Sequence, residues 1–182
     1  MCYLTVFSEN SPDHPFLESQ DCARVAAELA AIGVHYQRWV AEFPLPREAS
    51  DEDILRAYRP DIEALKRIGG YHHSDVMHLT HRQAGHEQSR HRLLQEHWHQ
   101  EDEVRLIVRG KCKLGLHSLA QGRVYHVVFE RNDLVRVPAG TLHWFDIGTK
   151  PDLTLLRIYS DRRARRIWRT GSDIAQRLSD LH

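Results

Sequence analysis

The sequence predicts a mainly β (α+β) fold: an antiparallel barrel or sandwich in the second half of the chain, with helices supplied mainly by the N-terminal third. Two observations carry this expectation. From about Glu103 onward, short β-rich runs alternate with turns, as "EVRLIVRG", "KCKLGLHSL", "GRVYHVVF", "DLVRVPAG", "LHWFDIG" and "LTLLRIYS". Several short strands at this spacing, punctuated by "AQG", "RND" and "GTKPD", are the pattern of an antiparallel barrel or sandwich. Before that point, apolar residues recur at helical spacing in two separate segments. The length of 182 residues suits one domain with one sizeable core.

Each element follows from local pattern. "CYLTVF" is β-prone and reads as an opening strand. In "SQDCARVAAELAAIG" the residues Cys22, Val25, Ala26, Leu29 and Ile32 repeat with a helical period, and Gly33 is a natural stop. "VHYQRWV" reads as a strand, with Val34, Tyr36 and Arg38 on one face and His35, Gln37 and Trp39 on the other. After the turn-rich link "FPLPREAS", Ser50 opens a second helix. Asp51, Glu52 and Asp53 lie in its first turn, where the helix dipole favours anions. Ile54, Leu55, Tyr58, Ile62 and Leu65 form its apolar stripe. Pro60 is expected to kink this helix, and Gly69-Gly70 to end it. "SDVMHLT" reads as a short strand and "QAGHEQSRHRLLQE" as a polar helix. The tail "RRARRIWRTGSDIAQRLSDLH" is expected to return to helix or coil. The chain thus divides into a helix-and-strand part over residues 1–95, barrel motifs over 96–160 and a tail over 161–182.

Composition excludes several classes. With 41% hydrophobic and 27% charged residues, the chain has the profile of a soluble globular protein. A formal net charge of zero gives no reason to expect nucleic acid or an anionic membrane as partner. Apolar runs fall far short of a membrane span, and "MCYLTVFSEN" lacks the basic and apolar regions of a signal peptide. The cysteines, Cys2, Cys22 and Cys112, are odd in number and form no CxxC, so neither a disulfide framework nor a thiolate zinc site is indicated. A reducing cytoplasm fits. Histidine is the outlier, with 14 residues.

The chemistry concentrates in "EHWHQEDEVRLIVRG". His97, His99, Glu103 and Arg105 are all odd-numbered, so in an extended stretch they can face one way. Two neutral imidazoles and a carboxylate suit a divalent cation such as Fe(II), Ni(II), Mn(II) or Zn(II). The lack of thiolates argues against a structural zinc site. In so histidine-rich a chain the bland reading, a polar surface patch, stays open on this stretch alone. A second segment, "NDLVRVPAGTLHWFD", weighs against it. Asp133 precedes an apolar strand, Pro138-Ala139-Gly140 makes a turn, and His143 follows. On a barrel the strand of His143 is expected to lie beside that of Glu103 and so to supply a fourth ligand. His72, His73, His78, His81, His86, His91, His117 and His126 have no such pattern and read as surface or satisfied core residues.

These segments resemble the cupin superfamily. "HWHQEDEVRLIVRG" is similar to the first cupin motif, with two His, a Glu after three intervening residues, then six residues and a Gly. "DLVRVPAGTLH" is similar to the second, with Asn132 where many cupins have Gly. The resemblance narrows to the bacterial acireductone dioxygenases through "EHWHQEDEVRLIVRG" and "VPAGTLHWFDIG". "GVHYQRW", "GYHHSDVMHL" and "LLRIYSD" support it, and it covers nearly the whole chain. The basic "RRARRIWR" tail and the "KCKLGLH" strand depart from that pattern.

The resemblance implies a cupin double-stranded β-helix, a jelly-roll barrel, with the N-terminal helices packed outside. It implies one divalent metal per chain, Fe(II) or Ni(II), held by His97, His99, Glu103 and His143. It implies an acireductone and O₂ as substrates, no nucleic-acid or membrane partner, a monomer, and a place in methionine salvage. In this family iron gives formate and 4-methylthio-2-oxobutanoate, and nickel gives 3-methylthiopropanoate, formate and carbon monoxide. The metal would stabilise the charge of a substrate dianion as a Lewis acid.

Arg105 shares the face of Glu103, and its fixed cation would favour the deprotonated substrate. The competing role is an ordinary ion-pair arginine. Glu96 resembles a residue linked to metal incorporation and Asp102 one linked to conformational change; both equally read as solvated loop acids. Arg157, inside an apolar strand, either lines the substrate site or sits at the barrel rim. Trp144 and Phe145 either wall the methylthio tail or pack in the core. Two other classes compete with the main reading: a different cupin dioxygenase or isomerase, and a non-enzymatic cupin that senses small molecules or serves as a store. A sensor is often fused to a DNA-binding domain, and no helix-turn-helix pattern stands out.

Overall fold

The computed structural model describes residues 2–11, 13–161 and 166–179. Among these, two antiparallel sheets face each other. The first contains β1 (Tyr3–Ser8), β2 (Leu17–Ser19), β5 (His97–Trp98), β7 (Lys111–Ser118), β8 (Arg123–Glu130), β10 (Leu142–Asp146) and β12 (Trp168–Arg169). Its strand order is β12-β5-β10-β7-β8-β1-β2. The second contains β3 (His35–Arg38), β4 (His73–Thr80), β6 (Glu103–Arg109), β9 (Asp133–Val137) and β11 (Asp152–Tyr159), in the order β3-β9-β6-β11-β4. The expected mainly β cupin barrel is what forms. No helix among the described residues is long and apolar enough to cross a membrane.

Alternation along the strands builds the interior. Ile107, Leu114, Leu116, Tyr125, Val127, Phe129, Val135, Phe145 and Leu155 point between the sheets and are buried. Each such side chain contributes about 1.5–3 kcal/mol by leaving water. The outer faces are also covered. Val104, Leu106, Leu134, Leu156 and Ile158 on the second sheet pack against Ile54, Ala57, Tyr58 and Ile62. These belong to the segment of α2 (Asp51–Ala57) and α3 (Arg59–Gly69), so these N-terminal helices do lie outside the barrel. On the first sheet, Trp144 and Phe7 pack under Ile174 and Leu178 of α5 (Ile174–Ser179). Strands buried on both faces explain why β6 and β11 read as nearly continuous apolar runs.

Helix ends follow the expected chemistry. Asp21 caps α1 (Cys22–Ala30) by accepting from Ala23 N at 2.9 Å. Ser50 Oγ accepts from Asp53 N at 3.1 Å, with the three acids in the first turn. Gly70, at φ 68°, closes α3 in the left-handed region that favours glycine. α4 (His86–Leu93) buries no residue, in keeping with its polar sequence.

Three expectations are corrected. Pro60 does not kink one helix. The chain breaks at Tyr58, φ −113°, and Pro60 falls in the first turn of α3, where a missing N–H costs nothing. The tail is not only helix or coil: Trp168 and Arg169 pair with β5 as β12. Within it, residues 162–165 lie outside the described residues. Finally, the strand of His143 does not neighbour that of Glu103. β10 pairs with β5 and β7, whereas β6 pairs with β9 and β11 in the opposite sheet.

Asn132 adopts φ 76° in the turn before β9, where the second motif often has Gly. Asn tolerates this region better than most side chains, so the departure leaves the turn intact.

Candidate metal centre

Three short pieces of chain bring the histidines together. β5 and β10 pair antiparallel with His143 directly opposite His97. His99 follows β5 in the link that crosses to the second sheet, and Gly140 N donates to its carbonyl at 2.9 Å. Glu103 and Arg105 open β6 on that second sheet and face back across the interior. The shared face read from odd numbering is thus the barrel interior, reached from both sheets. Further along the same strands, Ile107 and Phe145 continue into the apolar core.

Each imidazole is held by its Nδ1. His97 Nδ1–H donates to the Gln95 carbonyl at 2.7 Å, His99 to the Arg166 carbonyl at 3.0 Å and His143 to the Thr141 carbonyl at 2.8 Å. A carbonyl only accepts, so each ring carries its proton on Nδ1 and turns an Nε2 lone pair inward. The ligand atoms of the three histidines lie within 4.8 Å of one another. His143 Nε2 is 3.4 Å from Glu103 Oε2, and His99 Nε2 is 3.7 Å from Glu103 Oε1. The three Nε2 atoms and Glu103 Oε2 are buried without a hydrogen-bond partner among the described residues. Four buried electron-pair donors converging without donors of their own fit a divalent cation, and their N/O character suits a transition-metal ion.

The electrostatics agree. Burial, reinforced by His143, drives His97 down to about 3, so the ring is neutral and its lone pair free. Burial likewise lowers His99. Burial alone would raise Glu103, but the Arg105 guanidinium and His143 outweigh it and hold the carboxyl well below its usual range. Arg105 pairs with Glu103 Oε1 and lies over the Phe145 ring, 3.9 Å from its centroid.

The other expected residues sort by position. Arg157 sits opposite Arg105 in the β6–β11 register and lines the same cavity. Its guanidinium grips Asp75 at 2.8 and 2.9 Å, and Tyr159 donates to the same carboxylate at 3.1 Å. Asp102 also borders the cavity, yet its oxygens bind Arg136 at 2.7 Å, Ala139 N at 3.0 Å and Tyr71 at 3.2 Å. It therefore ties the loop before β6 to the turn before β10, and is no solvated loop acid. Glu96 is 2% exposed and accepts from His117 at 2.7 Å and Thr170 at 2.5 Å, so it too is tied into the fold. Neither Trp144 nor Phe145 lines the cavity. Trp144 points the other way, under α5, and Phe145 packs in the core beneath Arg105.

Sequence pattern missed Met77, Leu93, Tyr159 and Ile167 in the cavity wall. It also missed the tail, whose Arg166 carbonyl orients His99 and whose Trp168 stacks on Trp98 at 5.7 Å. No local signal marks such contacts, because they depend on strands far apart in sequence.

An antiparallel barrel holding three imidazoles and a carboxylate about one interior point defines a metal-binding cupin. The chain belongs to the ARD/ARD' family, whose family model matches residues 4–166. It is 41% identical over 179 residues to the acireductone dioxygenase of Acidiphilium cryptum, covering 97% of each chain. It is 40% identical over 177 residues to that of Pseudomonas aeruginosa, again covering 97% of each. Its fold matches the solved acireductone dioxygenase of Bacillus anthracis with cadmium ion in its active centre. That match has a TM-score of 0.80 at 22% identity and covers 92% of this chain and 98% of that one.

Proposed function

We propose that the chain is a metal-dependent acireductone dioxygenase of methionine salvage, acting in the cytoplasm as a monomer. Its substrates are 1,2-dihydroxy-3-keto-5-methylthiopentene and O₂. With Fe(II) the products are formate and 4-methylthio-2-oxobutanoate; with Ni(II) they are 3-methylthiopropanoate, formate and carbon monoxide. One observation carries the reading: the unpaired Nε2 atoms of His97, His99 and His143 and Oε2 of Glu103 converge beside a buried arginine.

His97, His99, Glu103 and His143 would hold the ion, which when bound supplies Lewis-acid stabilisation of substrate charge. The protein's own residues do the rest. The Gln95, Arg166 and Thr141 carbonyls fix the three rings in the ligating tautomer. Arg105 keeps Glu103 ionised and places a fixed cation where an ene-diol must give up protons, favouring the substrate anion. Phe145 supports that guanidinium from below. Arg157, oriented by Asp75, offers a second cation at the cavity. Met77, Leu93 and Ile167 form an apolar wall that suits the methylthio tail. Glu96 and Asp102 act by position, holding the strands and loops that carry the ligands.

The test is reconstitution of metal-free protein separately with Fe(II) and Ni(II), followed by acireductone and O₂. Keto acid is expected with iron and carbon monoxide with nickel. Acireductone consumed no faster than in buffer with either metal would overturn the proposal.

A further inference from the structure

We propose that Cys2 and Cys22 are a modification site, a dithiol that hydrogen peroxide oxidises to an intramolecular disulfide. Cys2 immediately precedes β1 and Cys22 opens α1, yet their Sγ atoms are in contact at 2.6 Å. Composition gave no hint of this, because the cysteines are odd in number and far apart in sequence.

The two thiols have unlike surroundings, which assigns their roles. Cys22 is partly exposed at the first position of a nine-residue helix. Its pKa is lowered, chiefly by the hydrogen bond from Cys2. A partly exposed thiol of lowered pKa beside a second thiol is the arrangement of a redox-sensing pair. Cys2 is fully buried and pushed up to about 11, by burial first and then by Cys22. The Tyr36 hydroxyl, 4.0 Å from Cys22 Sγ and 2.9 Å from Asp133 Oδ1, closes the inner side of the pair. The third thiol, Cys112, is 4% exposed in the barrel core and pushed up to about 12 by burial, which leaves it inert.

The steps balance. The Cys22 thiolate attacks one peroxide oxygen and breaks the O–O bond, giving a sulfenic acid at Cys22 and a hydroxide that takes up a proton as water. The Cys2 sulfur then attacks the Cys22 sulfur. The S–O bond breaks, and the departing hydroxide takes the Cys2 proton to leave as a second water. The two sulfurs are oxidised, the peroxide is reduced, and a dithiol reductant reverses the change. The bond joins β1, a strand inside the first sheet, to α1 and closes the loop that carries β2.

The test is mass-spectrometric mapping of the folded, full-length protein after treatment with hydrogen peroxide, denaturation and alkylation. Expected is a cross-linked Cys2–Cys22 peptide pair, a fall from three alkylatable thiols to one, and full reversal by dithiothreitol. Cys112→Ser should leave the cross-link unchanged, and Cys22→Ser should abolish it. The proposal is overturned if Cys22 accumulates as sulfinic or sulfonic acid while Cys2 stays alkylatable. It is overturned equally if all three thiols survive peroxide that oxidises a free thiol control, or if cross-links join separate chains.

Discussion

Arg105 is the residue on which charge at the centre turns. It is buried, yet its guanidinium is matched by Glu103 on its own strand and by the Phe145 ring beneath it. A buried cation is tolerated only with such partners. Arg105→Gln should keep most of the bound metal, because the four ligand atoms remain. It should slow acireductone turnover roughly ten- to hundredfold, the rate equivalent of a lost charge-assisted hydrogen bond of about 1.5–3 kcal/mol. Steady-state kinetics on metal-matched samples checks this, and an unchanged rate would return Arg105 to a structural ion pair. Residue type and parity put His97, His99, Glu103 and Arg105 on one face, and a second segment added His143; the structure brings these side chains together, with His143 on the opposite sheet from Glu103. Trp144 and Phe145 were not separable in the sequence. Adjacent positions on a strand face opposite sides, and in β10 both sides are buried, one by the barrel core and one by α5.

Elements tie the two motifs together in ways the sequence conceals. The main strands and the first helix were legible because their apolar periods are strong. The two-residue strands β5 and β12 were not, since two residues have no period. They nonetheless bring the tail against the centre, through the Arg166 carbonyl on His99 and Thr170 on Glu96. Glu96 in turn binds His117, whose other nitrogen lies 3.4 Å from Glu9. The hydrogen bond to Glu96 raises the pKa of His117 above its ordinary 6.5. A histidine raised on folding stabilises the native state below the unfolded value of about 6.5, and that contribution is lost as pH rises through the folded value. The stability gap between the native chain and His117→Gln should therefore be widest in mildly acidic buffer and narrow in alkaline buffer. Thermal melts across that range test it, and a gap that widens with pH would contradict the pairing.

At the scale of the whole molecule, two sheets close on one apolar interior and leave a cavity at the start of β6, where His97, His99, Glu103 and Arg105 meet an apolar wall. Sheet closure demands tight packing at Gly115. A Cβ there would meet the Trp144 ring, its cross-strand partner in β10, well inside contact distance. Gly115→Ala should displace Trp144 from its seat under α5 and destabilise the fold by about 1–3 kcal/mol, read from denaturant unfolding. No loss would mean that β10 is held less firmly than its burial implies. The proposed function requires that this barrel hold one catalytic metal at His97, His99, Glu103 and His143. Its most direct measurement is stepwise addition of Fe(II) to metal-free protein, with acireductone consumption followed in air-saturated buffer. Activity should rise linearly and level off at one iron per chain, and His99→Ala should bind iron weakly and stay near the buffer rate. Activity that levels off at another stoichiometry, or an active His99→Ala with full metal content, would contradict the site.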